Sequence, residues 1–183
     1  MDGTPSERLA ALGITLPTVA APVGAYLPSI RSGSQVWTSG QLPFVDGALL
    51  RTGHVGDGPD DVSAEDAAVL ARVACLNAIA AAAGAAGGLD HITRVLKVVG
   101  YVASAHGFTA QPSVVNGASH LLTEVFGDAG RHARSAVGVA SLPLGSPVEI
   151  EIVVETDRVV ETDRVAGTDH VVESDRVAEV EPS

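Results

Sequence analysis

Two charged residues stand out in the stretch RSAVGVASLPLGSPVEIEI, residues 134–152, because most of the others are small or apolar. Arg134 opens the stretch, a Pro/Gly cluster follows, and the chain returns on alternating valine, glutamate and isoleucine. This alternation is typical of a strand that turns Glu149 and Glu151 to one face and its aliphatic residues to the other. We predict a β-hairpin with Arg134 at one end and Glu149 just past its turn.

An arginine and a glutamate in these places support two interpretations. The guanidinium can form a structural ion pair with a buried carboxylate, or it can be a planar fork that binds the carboxylate of a substrate with two hydrogen bonds. The spacing alone leaves both interpretations open.

The N-terminal part of the chain supplies short elements. Thr4 and Pro5 predict a helix over residues 5–12, with Gly13 beyond its end. The segment AYLPSIRSGSQVWTSGQL, residues 25–42, predicts a hairpin turned at Ser-Gly-Ser-Gln, and DGALLRTG, residues 46–53, can add a short strand.

The two main helices flank a long strand. Ser63, with Asp66 three residues later, begins an alanine-rich helix that ends before Gly87 and Gly88. Residues 92–104 are rich in β-branched types and predict a strand, and residues 111–126 predict a second helix with a proline in its first turn. This element order is that of an α+β domain, a mixed sheet with two helices on one face.

The second face of this sheet has no helix left to cover it. We expect that face to be covered by another copy of the chain in a homo-oligomer. The residues that we assign to it are Val98, Tyr101, Val137, Val139 and Ile150.

Composition divides the chain into three parts. Residues 1–21 form an N-terminal extension, residues 22–155 form the domain, and residues 156–183 form an acidic tail. The tail repeats a hexapeptide (TDRVVE, TDRVAG, TDHVVE, SDRVAE) whose period gives neither a helix nor a strand an apolar face. Because eight acidic residues there stand against three arginines, we expect the tail to be solvated and disordered.

Charge and residue usage exclude several classes of protein. A formal net charge of −11 and an aromatic content of 3% argue against a partner made of nucleic acid. Cys75 is the only cysteine, and we interpret it as a buried, unreactive thiol. The histidines show no HxH or HxxxH spacing, so we predict no metal site and interpret each as a surface or loop residue; they are His54, His91, His106, His120, His132 and His170.

Hydropathy predicts no membrane partner. No apolar run reaches the roughly 18 residues of a spanning helix without a charge or a glycine, and the first residues lack the order of a signal peptide. We therefore expect a soluble cytoplasmic protein.

Three segments together resemble a known family. The heptapeptide WTSGQLP (37–43), Tyr26 in GAYLPSI and the string RSAVGVASLPLGSPVEIEI resemble the RidA family of enamine/imine deaminases, formerly called YjgF. The resemblance spans about residues 22–155, the whole predicted domain. It implies a chorismate-mutase-like fold and a homotrimer whose sheets form a central barrel, with active sites in the clefts between subunits.

The resemblance also implies roles for individual residues. Arg134 would bind the substrate carboxylate, and Glu149 would position a water molecule. Ala136 stands where many members carry a cysteine, which marks a divergent subgroup. The residues implied to surround the substrate are Tyr26, Ser39, Gly40, Asn116 and Ala136.

The implied reaction is hydrolysis of 2-aminoacrylate-like enamines or imines to 2-keto acids and ammonia, with no metal or organic cofactor. Two alternatives stay open. A trimer of the same fold can bind a metabolite without catalysis or do specialised biosynthetic chemistry. A ribonuclease or translation inhibitor is disfavoured by the acidic balance and the lack of a basic stripe.

Overall fold

The computed structural model describes residues 3–19 and 25–157. The predicted α+β class is confirmed. The helices and strands are α1 (Pro5–Ala11), β1 (Ser29–Ser32), β2 (Gln35–Thr38), β3 (Phe44–Val45), β4 (Ala48–Leu49), α2 (Ala64–Ala86), β5 (Ile92–Ala103), α3 (Gln111–Phe126), β6 (Ala133–Val139) and β7 (Val148–Thr156). Short 3-10 turns precede β5, β6 and β7.

The helix ends follow the predicted signals. Thr4 and Glu7 exchange hydrogen bonds across the first turn of α1 and form a capping box. The Ser63 hydroxyl accepts a hydrogen bond from the Asp66 N–H at the start of α2, and Gly87 ends that helix in the left-handed conformation, with φ of 80°. Local hydrogen bonding at the termini therefore fixes where these helices begin and end.

The five-stranded sheet has the order β1-β2-β7-β5-β6. Neighbouring strands are antiparallel except β5 and β6, which are parallel. The predicted hairpin of residues 134–152 is therefore wrong, because β5 lies between β6 and β7. The reason is that α3 joins β5 to β6 as a crossover connection, which returns the chain in the same direction and leaves the other edge of β5 to β7.

Helices α2 and α3 pack together on one face of the sheet. The contact is close because Gly117 of α3 lies against α2, where a Cβ atom would overlap the carbonyl oxygen of Ala68. The Cys75 thiol is fully buried there, as predicted, and burial raises its pKa to about 12. The core between helices and sheet includes Val36, Val98, Ile150, Ile152 and Val154.

The opposite face, which we call the open face, has no helix among the described residues. Strand pairing places Ile30 next to Trp37 and Tyr101 next to Val137 on it. Ile30, Trp37 and Val137 are exposed to 60%, 49% and 43%. Assigning Val98 and Ile150 to this face was wrong, since both are fully buried under the helices; alternation along β5 separates Val98 from Tyr101.

Among the described residues, α2 alone is long and apolar enough to cross a membrane by length and composition. Some 61% of its most apolar window is buried within the domain, as in a core helix. Much of that burial comes from alanines that face the sheet and α3.

The last described residues still belong to the sheet. The Thr156 hydroxyl donates to the carbonyl of Ser34, and the Asp157 carboxylate lies 3.1 Å from Nδ1 of His91. The remainder of the predicted tail, 158–183, lies outside the described residues, as do residues 1–2 and 20–24 of the N-terminal part.

Candidate active site

Arg134 lies on the edge strand β6 and faces the helices. Its pairing with Val98, a buried residue, sets this direction. The Arg134 Nη1 atom donates hydrogen bonds to Oδ1 of Asn116, at 2.7 Å, and to Oγ of Ser119, at 3.1 Å. Both acceptors are on α3, one turn apart. The structure thus brings the predicted residues Arg134 and Asn116 together.

Ser119 and His132 extend this group and were missed in the sequence. Nε2 of His132 lies 3.0 Å from the Ser119 hydroxyl, and Nδ1 lies 2.6 Å from the carbonyl oxygen of Gly130. Burial lowers the pKa of His132; the hydrogen bond to Gly130 opposes this effect, and the charge of Arg134 adds to it. His132 is half-buried, so its interpretation as a surface or loop residue was incomplete. The i, i+3 spacing of Asn116 and Ser119 was the available signal.

Ala136 shares the face of Arg134 two residues further along β6. It pairs with Gly100 and packs against the edge of the core. Its methyl group offers no chemistry of its own.

Glu149 lies on the open face, half-buried, beside Tyr101 of β5. Burial raises the pKa of Glu149, and the neighbouring carboxylate of Glu151 raises it further. The Tyr101 hydroxyl hydrogen-bonds to Glu151. Glu149 therefore takes up a proton at a higher pH than an exposed glutamate does.

Gly40 makes room for that carboxylate. The loop after β2 continues along β7, where Gln41 and Ile150 exchange two backbone hydrogen bonds. A Cβ atom at Gly40 would overlap the Glu149 carboxyl group. The predicted residues Gly40 and Glu149 therefore meet, and a larger residue at position 40 would make the Glu149 side chain move.

Ser39 and Tyr26 lie at the border of this second group. The Ser39 hydroxyl donates to the carbonyl of Leu27, at 2.6 Å, and so joins the loop to the segment before β1. Tyr26 is on that segment and is 52% exposed. Ser39 has a structural hydrogen bond here, and the Tyr26 ring is left to solvent.

The two predicted catalytic residues do not meet within one chain. Arg134 pairs with Val98 and Glu149 with Tyr101, so they lie two strands apart, three residues apart along β5 and on opposite faces of the sheet. The residues described contain no ion pair between them, so the structural ion pair, one of the two interpretations left open by the sequence, does not form within one chain. That interpretation depended on the hairpin that β5 interrupts.

No cluster of three or more His, Cys, Asp or Glu side chains suited to a metal ion occurs in residues 3–19 and 25–157.

The fold is an α+β sheet with two helices on one face, and its candidate site combines an anchored arginine with a half-buried glutamate. Residues 6–156 match the profile of a family described as "YjgF/chorismate mutase-like, putative endoribonuclease". The chain belongs to this YjgF family, as the resemblance predicted.

Similar proteins cover the whole domain. Protein TCP17 of Trypanosoma cruzi is 42% identical over 84% of this chain and 94% of its own. A 2-iminobutanoate/2-iminopropanoate deaminase of Dermatophagoides farinae is 30% identical over 77% and 93%. A crystal structure from Shewanella oneidensis, described as a "putative endoribonuclease", superposes with a TM-score of 0.79 at 38% identity and covers 84% of this chain and 99% of its own.

Proposed function

We propose that the chain is a cytoplasmic deaminase that hydrolyses small 2-imino acids and their enamine tautomers, of the 2-aminoacrylate type, to 2-keto acids and ammonia. One observation carries the proposal. Arg134 is held on its Nη1 side by Asn116 and Ser119, whereas its Nε and Nη2 make no hydrogen bond among the described residues. Those two N–H groups form a planar fork that matches a carboxylate.

The reaction needs water and a proton relay. A water oxygen attacks the imine carbon while the Glu149 carboxylate takes one proton from that water and passes it to the imine nitrogen, which gives a carbinolamine. The C–N bond of the carbinolamine then breaks as its hydroxyl proton passes through Glu149 to the departing nitrogen; the carbon keeps the oxygen as a carbonyl, and the nitrogen leaves as ammonia. Because burial and Glu151 raise the pKa of Glu149, this carboxyl group holds a proton more readily than an exposed glutamate, which suits a group that accepts and returns one.

We further propose that two copies of the chain build each site, within a homotrimer. Arg134 and Glu149 face opposite sides of the sheet, so one substrate can reach both only if Glu149 of one copy approaches Arg134 of another. The apolar side chains of Ile30, Trp37 and Val137 on the open face support such an assembly. The sites would then lie between neighbouring copies.

Endoribonuclease activity, which the family description mentions, is not favoured by this site. Glu149 and Glu151 lie side by side on the open face and would repel a phosphate backbone. RNA is still a useful comparison substrate, since cleavage without imine hydrolysis would contradict the proposal.

The first test is the release of ammonia from freshly generated 2-iminobutanoate and 2-aminoacrylate. Arg134→Ala should reduce kcat/KM at least roughly 100-fold, because the carboxylate loses both charge-assisted hydrogen bonds. Arg131→Ala is the matched control, since Arg131 is exposed and pairs only with Asp128 in the described structure. Wild-type protein that releases no ammonia, or equal activity in Arg134→Ala, would overturn the proposal.

The shared site has its own test. Arg134→Ala and Glu149→Gln proteins are each expected to be inactive, so they are unfolded together, refolded as a mixture and assayed. If the two residues come from neighbouring copies, random mixing regenerates about a quarter of the wild-type sites. A mixture as inactive as its parents would show that both residues serve from one chain.

A further inference from the structure

The proposed deaminase site contains a second layer of polar residues behind Arg134. Ser119 on α3 and His132, just before β6, both lie on the side of Arg134 away from its Nε and Nη2 fork. Neither residue belongs to the motifs that resemble the RidA family. Their arrangement is specific enough to assign each hydrogen.

The partners determine the direction of the hydrogen bonds. A carbonyl oxygen only accepts, so Nδ1 of His132 carries the hydrogen that it donates to Gly130. In the neutral ring Nε2 then accepts, and the Ser119 hydroxyl donates to it. The Ser119 oxygen is left to accept from Nη1 of Arg134. Hydrogen bonds thus run from Arg134 to Ser119, from Ser119 to His132 and from His132 to Gly130.

The far end of this chain is fixed by packing. Gly130 is buried, and a Cβ atom there would overlap the carbonyl oxygen of Leu122 on α3. The carbonyl that receives the His132 hydrogen is therefore held against the same helix that carries Ser119. Both ends of this series of hydrogen bonds are held against α3, so the imidazole ring of His132 has little freedom to rotate.

The near end fixes the plane of the guanidinium. Nη1 has two hydrogens, and Asn116 and Ser119 accept one each. Asn116 is exposed at the outer surface, whereas the bond to Ser119 is partly buried. The Ser119 bond is therefore the one better protected from exchange with water.

We propose that Ser119 and His132 are positioning residues, which hold the guanidinium of Arg134 in the plane that presents Nε and Nη2 to a substrate carboxylate. The inference rests on the proposed deaminase function for its effect on turnover. Its structural content, a restrained guanidinium, is independent of turnover. Neither residue touches the reacting atoms.

The primary test is nuclear magnetic resonance of the full chain without substrate. The wild type should show a His132 ring protonated at Nδ1 only, and an Arg134 guanidinium whose rotation is restricted. Ser119→Ala and His132→Phe should each release that rotation, and His132→Gln should restore it, since its amide oxygen can accept from Ser119. Guanidinium motion that is the same in wild type and in both variants would overturn the inference.

Two controls on the same helix separate positioning from general loosening. Thr123→Val removes a hydroxyl one turn from Ser119 that bonds only to carbonyls of its own helix. His120→Gln changes an exposed histidine next to Ser119. Both should leave the Arg134 signals unchanged.

Kinetics and binding complete the test. Ser119→Ala and His132→Phe should raise KM for 2-iminobutanoate and Kd for its product 2-oxobutanoate roughly tenfold, with a much smaller change in kcat. The double variant should be no worse than either single one, because both belong to one chain of bonds. Equal KM and Kd in all variants, or additive losses, would contradict the inference. A wild type with a restrained Arg134 but no turnover would contradict only the deaminase.

Discussion

At the scale of single residues, the surroundings of Glu149 disfavour its charged form. It is half-buried, Glu151 lies next to it on the same face, and Gly40 closes over its carboxyl group. Each of these features disfavours the charged form or confines it, and the pKa is raised accordingly. A glutamate on a solvated outer face would lack this enclosure.

Glu149→Gln should therefore lower the activity and raise the stability of the protein. Loss of the proton acceptor should lower kcat roughly 10²–10⁴-fold. Because the folded-state pKa of Glu149 is raised, the folded protein binds more protons than the unfolded chain in the window between the two pKa values, and its stability falls as pH rises through that window. The neutral amide of the variant avoids this loss, so urea unfolding at pH 7 should give a higher free energy of unfolding.

The control for this variant is Glu155→Gln on the same strand, which should keep wild-type activity. In the wild type, kcat/KM should fall as pH is lowered through the raised pKa of Glu149, because the carboxylate base is then protonated. A flat profile down to the ordinary glutamate range would argue against Glu149 as the base.

At the scale of elements, helix ends were predictable and strand partners were not. Helix α2 begins after Ser63, whose hydroxyl accepts a local hydrogen bond, and ends at Gly87, which has a left-handed φ. Both end signals can be recognised from the residue types alone. The stretch 134–152 looked like a hairpin because alternation and a Pro/Gly turn say nothing about which strand lies between two others. The succession β5-α3-β6 was the better guide, since a crossover helix favours parallel neighbours.

The candidate site was likewise predictable from the sequence only in part. The resemblance named Arg134, Asn116, Glu149 and Gly40, and the structure brings them together as two pairs. Ser119 and His132 were not found because a serine inside a helix and a histidine in a turn are common without any special role. The three-dimensional contact of α3 with the start of β6 reveals both residues.

For two glycines on the helices, we predict that substitution by alanine has opposite effects on stability. Gly117→Ala should destabilise the domain by roughly 1–3 kcal/mol, because the added methyl group would overlap the Ala68 carbonyl and push α2 and α3 apart. Gly84→Ala should stabilise it by about 0.5–1 kcal/mol, since Gly84 is exposed on α2 with open space around it. Thermal and urea unfolding measure both; equal effects would contradict the close α2–α3 contact.

At the scale of the whole molecule, the two sides of the sheet differ in what covers them. Helices α2 and α3 bury one face, and the other presents Trp37, Ile30 and Val137. Such an apolar face is characteristic of a surface that another chain covers.

Val137→Arg should therefore prevent assembly and abolish activity together, because charge would be placed on the open face beside Tyr101. Light scattering and chromatography measure the mass, and emission from Trp37, the only tryptophan, reports solvent exposure of the same face. Val69→Arg is the control: Val69 is 62% exposed, but on α2. A Val137→Arg protein of unchanged mass would show that the open face is not the contact.

The central place of β7 has a consequence for how the protein is made. Residues Val148–Thr156 leave the ribosome after every other described strand, yet they lie between β2 and β5. Until they arrive, the nascent chain holds a β1-β2 ribbon and a β5-β6 pair, each with an unpaired edge that invites the wrong neighbour. A premature stop codon before residue 148 should thus yield an aggregating fragment, whereas a stop codon after Asp157 leaves all five strands of the sheet present.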